Sequence, residues 1–197
     1  MKKLVIASGN AGKLREIAQL LSPLAIEVLP QSDFNVPEAE EPYFTFIENA
    51  LAKARHASLH SGLPALADDS GICVDALQGA PGVYSARFAG DHKSDARNNE
   101  KLLEVMQGLS NRAAHYYCVM VLVRSPEDPQ PLIAQGSWQG RILEAPRGNG
   151  GFGYDPLFLD DKTGKTGAEL PLEIKNRISH RGHAMRDMLH LIEKLAS

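Results

Sequence analysis

The chain holds few of the residues that build a disulfide framework, a membrane span or a polyanion-binding surface. Two cysteines occur in 197 residues, Cys73 and Cys118, each inside an apolar run that reads as strand. No disulfide scaffold is encoded, and a thiol-reduced setting is expected. No run approaches the roughly 20 apolar residues that a membrane helix requires, so no membrane partner is expected. The opening Met1-Lys2-Lys3-Leu4-Val5-Ile6-Ala7 meets Ser8-Gly9-Asn10 too soon to serve as a signal peptide. A cytoplasmic protein is the expectation. The net charge of -3 excludes the broad basic field that binds duplex nucleic acid or anionic lipid. Internal repeats, low-complexity tails and the G-x-x-x-x-G-K-[ST] phosphate loop are also missing. A 43% hydrophobic content still allows one globular unit, or two lobes sharing a core.

Against that background, Ala65-Leu66-Ala67-Asp68-Asp69-Ser70-Gly71 stands out, an apolar run that meets two adjacent carboxylates. Asp and Gly are poor strand residues, so the strand is expected to stop here with the acids at its carboxyl end. Such acids suit Mg²⁺, which takes oxygen ligands and uses one or two carboxylates beside substrate phosphates. They equally suit a solvated Asp-Ser turn.

The N-terminal junction is a second candidate. Leu4 to Ala7 reads as a buried strand, and a helix from Ala11 places Leu14, Ile17, Ala18 and Leu21 on one face. Ser8, Gly9, Asn10, Ala11, Gly12 and Lys13 form the turn between them. Small residues and helix-start N–H groups attract anions, and Lys13 opposes the helix dipole unless an anion answers it. An ordinary Ser/Asn cap explains the same residues. Further on, Glu27 to Leu29 reads as strand and the acidic loop Glu38-Ala39-Glu40-Glu41 precedes a capping box, Thr45-Phe46-Ile47-Glu48. The helix it opens runs to about Ser58. Ile47, Ala50, Leu51, Ala54 and Ala57 turn inward, while Asn49, Lys53 and His56 lie on another face that fits a site wall or solvent.

Gly71 to Leu77 is expected to resume as strand, Tyr84 to Phe88 to be extended, and Asp95 to Met106 to be a helix capped by Ser94. His115 to Val123 reads as a central strand, and Leu132 to Gln135 with Gly140 to Leu143 as a hairpin around Trp138. Strands of both kinds point to a mixed α/β sheet. Residues 147–156 then carry four glycines in six positions beside Phe152, Tyr154 and Asp155. Such a loop offers an aromatic face to a base, or folds its rings back on the core. Lys175, Ser179, His180 and Arg181 precede a helix whose inner side holds Ala184, Met188, Leu191, Ile192 and Leu195. The His180 and His183 pair lacks a Cys or acidic partner at zinc spacing.

Assembled in order, these stretches resemble the inosine triphosphate pyrophosphatase family, in its bacterial dITP/XTP branch. The resemblance rests on Ser8 to Lys13 with Arg15-Glu16, Thr45 to Ala50, Ala67 to Gly71, Gly79 to Gly82 with Tyr84 to Arg87, Gly150 to Pro156, and Ser179 to Gly182. It implies a two-lobed α/β fold, with a long twisted mixed β-sheet flanked by helices around a central substrate cleft. It also implies a homodimer and Mg²⁺-dependent hydrolysis of ITP, dITP and XTP to monophosphate and pyrophosphate, which clears them before incorporation into DNA or RNA. By the same resemblance, Ser8 to Lys13 and Lys53 hold the triphosphate, Glu41 and Asp69 hold Mg²⁺, and Asp69 is the general base. Ser70 bonds a phosphate or the sugar. Asp68 supports the acids from behind. Phe152, Gly153, Tyr154 and Asp155 flank the base, and Lys175, His180 and Arg181 donate to a 6-keto group that adenine lacks. Guanine shares that group, so its exclusion falls to backbone near Phe152 or Asp155. The family follows its loop glutamate with Thr or Asp and then Gly; here Glu41 is followed by Pro42-Tyr43. Two other classes stay open to test. A nucleotide sensor would release no pyrophosphate, and an aspartyl phosphatase would need D-x-D after its first strand.

Overall fold

Short apolar runs separated by capped helices set the architecture. The computed structural model describes residues 1–22, 26–90 and 92–196, apart from the side chains of Leu20 and Ala196. Among the described residues the strands are β1 (Lys3–Ile6), β2 (Glu27–Pro30), β3 (Ala65–Val74), β4 (Ala113–Val123), β5 (Leu132–Ile142) and β6 (Phe158–Asp160). The helices are α1 (Ala11–Leu21), α2 (Phe46–Ser61), α3 (Asp95–Val105), α4 (Leu172–Ile178) and α5 (His180–Ala196). The strands form one sheet in the order β2-β1-β3-β4-β5-β6. β1 pairs in parallel with β2 and β3, whereas β5 and β6 are antiparallel, so the sheet is mixed as expected.

The chain divides into two compact units. The first comprises residues 1–69, 118–136 and 181–197. Its core joins Leu4 and Ile6 of β1, Ile17 and Leu21 of α1, Met120 and Leu122 of β4, and Ala184, Met185, Met188 and Ile192 of α5. α2 also belongs here. The Thr45 hydroxyl accepts from the Glu48 amide and donates to the Glu48 carboxylate, which is the capping box expected from sequence. The second unit comprises residues 70–117 and 137–180, with Ile72, Val74, Leu102, Met106, Trp138 and Phe158 at its centre. There the Trp138 indole donates to Asp160 Oδ1 at 2.9 Å, which satisfies the polar atom of a side chain that is only 3% exposed.

Several expectations are corrected. β3 does not stop at the acids but runs through Asp68, Asp69, Ser70 and Gly71 to Val74. Asp and Gly propensity is overridden because cationic partners meet both carboxylates and because the backbone at Gly71 passes against another segment. A Cβ there would lie 2.2 Å from the Gly82 carbonyl oxygen and 2.5 Å from Ser85 Oγ, so only glycine fits. Asp75–Leu77 and Gly82–Arg87 are 3₁₀ turns, where strand and extended chain were expected. The expected hairpin is one continuous strand, β5. Its inward positions are Ala134, Gly136, Trp138, Gly140 and Ile142, alternating strictly with exposed residues. Glycines at two of the inward positions hid that period of two. Ile47 on α2 and Leu195 on α5 are exposed, at 37% and 50%, rather than packed inward.

Candidate functional site

The first unit gathers six of the charged residues singled out above, and the alternation of β3 sorts them. Successive side chains of a strand point to opposite faces, so Asp68 and Asp69 meet different partners. Asp68, 2% exposed, accepts from Lys13 Nζ at 3.0 Å and from Arg181 Nη2 at 3.3 Å. Arg181 in turn pairs through Nη1 with Glu16, itself buried on α1. Burial alone would raise the Asp68 carboxyl, but the charges of Lys13 and Arg181 outweigh it and hold the group well below the usual carboxylate range. Lys13 therefore finds its counter-charge within the protein, which answers its unfavourable place at a helix start without a phosphate. Cys118 lies 4.0 Å from Asp68, and burial together with that carboxylate pushes its thiol up to about 12.

Asp69 faces α2 and the acidic loop. Its Oδ1 accepts from Lys53 Nζ at 3.2 Å, and the same ammonium lies 2.7 Å from Glu41 Oε1. Its Oδ2 accepts from Asn49 Nδ2 at 3.3 Å. Burial raises the Asp69 carboxyl; Lys53 and Lys13 pull it down, Glu41 pushes it up, and the net direction is upward. Lys53 moves up as well, because Asp69 and Glu41 outweigh its own burial. Two adjacent aspartates thus titrate in opposite directions, the pattern found where residues of one type take different roles.

At the N-terminal turn, Asn10 is an ordinary cap. Its Oδ1 accepts from the Gly12 amide at 2.8 Å and the Lys13 amide at 3.1 Å, and Asn10 N donates to Ser8 Oγ. Gly9, Asn10 and Ala11 are exposed, with room at Gly9 for any approaching group. Ser70 lies half-buried on β3 directly after the acids.

In the second unit the glycine-rich loop closes around Asp155. Asp155 Oδ2 accepts from the Phe152 amide at 2.8 Å and from Lys175 Nζ at 2.7 Å, with both charged groups buried. The glycines make room for that carboxylate, since a Cβ on Gly151 would lie 2.1 Å from Asp155 Oδ2 at a φ of 73°. Gly153 is held at both ends, its amide by Asp95 Oδ2 at 2.6 Å and its carbonyl by Asn99 Nδ2 at 2.8 Å. Tyr154 packs into the core and donates its hydroxyl to the Ser85 carbonyl at 2.8 Å. Phe152 stays half-buried with the Lys175 ammonium 4.6 Å from its ring centre. Of the two rings, Tyr154 folds back on the core and Phe152 is the less buried. His180 is buried and stacks on Tyr116, the ring centres 4.6 Å apart and 8° from parallel.

The residues singled out from sequence therefore fall into an acid-and-lysine cluster in one unit and a Phe152–Asp155–Lys175 cluster in the other. Arg181 joins the first, on Asp68 and Glu16, although it was grouped with the base-facing donors Lys175 and His180. Glu16 had been noted only inside a motif, and Asn49 only as a neighbour of Lys53 on a face of α2 that fits a site wall or solvent. Nothing in helical periodicity marks Glu16 as buried, whereas the i, i+4 spacing of Asn49 and Lys53 was a usable signal.

Comparison with known proteins places this geometry in a family. A model of the Ham1 family matches residues 4–191. The dITP/XTP pyrophosphatase of Nitrosomonas europaea is 61% identical over 194 residues, covering 98% of this chain and 96% of that protein. That of Aromatoleum aromaticum is 61% identical over 195 residues, covering 99% and 97%. Among solved structures, a HAM1 protein from Coxiella burnetii matches with a TM-score of 0.92 at 46% identity, covering 98% of this chain and 100% of that one. The Ham1 protein of Staphylococcus aureus matches with a TM-score of 0.87 at 38% identity, covering 98% and 99%. With matches of this extent in both sequence and structure, the chain belongs to the Ham1 family.

Proposed function

We propose that this protein hydrolyses the deaminated purine nucleoside triphosphates ITP, dITP and XTP to the monophosphate and pyrophosphate, in a Mg²⁺-dependent reaction that removes them from the nucleotide pool. The observation that carries the reading is the Glu41–Lys53–Asp69 arrangement: two carboxylate oxygens lie 2.7 and 3.2 Å from one ammonium. These are hard oxygen donors already gathered around a single cation, and Mg²⁺ needs only one or two carboxylates when substrate phosphates complete its shell. The residues fit the ion, and Glu41 and Asp69 would hold it. When bound, it supplies charge neutralisation to the phosphates.

The chain's own groups do the rest. Lys53 and Lys13, with the Ser8–Lys13 turn, neutralise and orient the triphosphate, and Ser70 adds a hydroxyl. Asp69, with its carboxyl raised by burial, accepts a proton from the attacking water as the water oxygen bonds to phosphorus. The α–β anhydride bond breaks and pyrophosphate leaves. Positioning and charge neutralisation carry most phosphoryl transfers, so no covalent intermediate is required. Phe152 stacks on the base, with Gly153, Tyr154 and Asp155 shaping its surroundings. Lys175 and His180 donate to O6, which leaves donor facing donor when adenine binds. Arg181, expected from sequence as a third donor to O6, also holds Asp68 and Glu16. A homodimer and a cytoplasmic setting accompany this reading; no helix among the described residues is long and apolar enough to cross a membrane.

Product analysis tests the proposal. Purified protein with Mg²⁺ and ITP or XTP should yield monophosphate and pyrophosphate in equal amounts, with GTP slow, ATP negligible and EDTA abolishing the reaction. Orthophosphate as the first product, or ATP turnover comparable to that of ITP, would overturn it.

A further inference from the structure

The reaction proposed above needs Glu41 and Asp69 held at one fixed separation, yet they come from different kinds of structure. Asp69 sits in the interior of β3, whereas Glu41 lies on an irregular segment just before α2. Ion pairing through Lys53 alone would leave that segment loosely placed, because a lysine ammonium is a point charge on a flexible stem and imposes little direction. A second tie runs through Asn49.

Asn49 is fully buried on the first turn of α2. Its Oδ1 accepts from the Tyr43 amide at 3.1 Å, and its Nδ2 donates to the Tyr43 carbonyl at 3.2 Å, so one side chain grips both backbone groups of a single residue. The remaining proton of Nδ2 goes to Asp69 Oδ2 at 3.3 Å. An amide has two donor hydrogens, and both are used. Tyr43 lies two positions after Glu41, so this bridge sets the end of the acidic loop directly against the carboxylate. Pro42 between them fixes its own φ and transmits the constraint. Only a planar group carrying a donor and an acceptor side by side can make all three bonds; Asp loses the donors and Ser is too short.

We infer that Asn49 is a positioning residue that couples the Glu41 loop to Asp69 and so sets the spacing of the two carboxylates. The inference rests on the pyrophosphatase reading for its consequence in catalysis, but not for the coupling itself, and two measurements separate them. The first needs neither metal nor substrate. In hydrogen exchange on the metal-free protein, the Tyr43 amide of Asn49→Ala should exchange faster than wild type by about fivefold or more, as expected for loss of a buried hydrogen bond. The second is kinetic. Partners that orient metal-binding carboxylates typically change metal affinity or activity by about 10- to 100-fold. Asn49→Ala should therefore lower kcat for ITP by about that factor while KM moves less than about threefold, and should raise the Mg²⁺ concentration for half-maximal activity. Because the effect acts through Glu41, the variant Glu41→Gln/Asn49→Ala should be no more than about threefold slower than Glu41→Gln alone. A purely packing role for Asn49 would instead give effects that multiply. Should Asn49→Ala fail to fold, Asn49→Ser removes less volume and takes its place in both arms. An unchanged Tyr43 exchange rate, or multiplying kinetic effects, overturns the inference. Wild-type protein that releases no pyrophosphate overturns the pyrophosphatase reading, and the exchange arm still decides the role of Asn49.

Discussion

Replacing Asp68 by Asn should cost stability far more than the change of one atom suggests. The carboxylate is 2% exposed and faces two cations, Lys13 Nζ at 3.0 Å and the Arg181 guanidinium at 3.3 Å. Glu16 is the other acid paired with that guanidinium. Removing the Asp68 charge leaves the buried Arg181 with Glu16 and takes from the half-buried Lys13 the carboxylate it faces. Breaking a buried pair from one side costs about 3–5 kcal/mol, because the remaining charge stays desolvated. The Lys13 side chain is 17% exposed and can turn partly to water, so the lower end applies, about 3 kcal/mol. For a chain of this length each kcal/mol moves the midpoint by about 2–4 °C, which gives a fall of about 6–12 °C. The pH dependence has a defined sign. The folded-state pKa is lowered, so the contribution is fully present above the unfolded value of about 4 and is lost progressively below it. Thermal unfolding followed by circular dichroism should therefore show a constant gap between wild type and Asp68→Asn from pH 8 to about 5, narrowing below about pH 4. A gap under about 2 °C at pH 7 would refute the reasoning, as would one unchanged in acid.

Gly71→Ala should unfold or severely destabilise the protein, since its Cβ would stand 2.2 Å from a carbonyl oxygen, whereas Gly9→Ala, with nothing within 4 Å, should leave the melting temperature within about 2 °C. Differential scanning fluorimetry of the two variants checks the contrast. With its thiol pushed up to about 12 and no exposed surface, Cys118 should be inert to Ellman's reagent at pH 8 until denaturant is added. Asp95→Asn weakens the grip on the Gly153 amide and should raise KM for ITP by about tenfold with little change in melting temperature; an unchanged KM would separate the loop's position from base binding.

Much of this was legible because local signals agreed with global ones. The Thr45–Glu48 capping box started α2, the Ser94 cap started α3, and the apolar run around Cys118 became an interior strand of the sheet. Where reading from sequence failed, tertiary contacts outweighed propensity. β3 continues through two aspartates because Lys13, Arg181, Lys53 and Asn49 answer them, and all four partners are more than ten residues distant in the chain. Arg181 could not be placed for the same reason. Its motif sits among base-facing candidates, and only the fold carries it to Asp68 and Glu16. The broken reading of β5 had a local cause, since Gly136 and Gly140 stand at inward positions where an apolar side chain would have shown the alternation.

Adjacent residues of one type with opposite environments should respond oppositely to the same substitution. Asp69 is raised by burial, with Lys53 only partly offsetting it, so its ionised form is held at a cost to the fold. A carboxylate whose folded pKa lies above its unfolded value stabilises the protein in acid, and that advantage is lost as pH rises through the folded pKa. Asp69→Asn removes the strained charge and keeps the volume. In metal-free protein at pH 7 its melting temperature should equal or exceed that of wild type, while Asp68→Asn falls. Turnover should behave the other way. In the proposed reaction Asp69 supplies the proton acceptor and half of the acidic pair, so Asp69→Asn should lose at least about a hundredfold in kcat, the usual scale for a positioned general base. Measuring melting temperature and pyrophosphate release on both variants gives four numbers, and the assignment requires a crossed pattern. An Asp69→Asn protein that keeps a tenth of wild-type turnover, or that melts as early as Asp68→Asn, would mean that the two carboxylates share one structural task and that neither is the base.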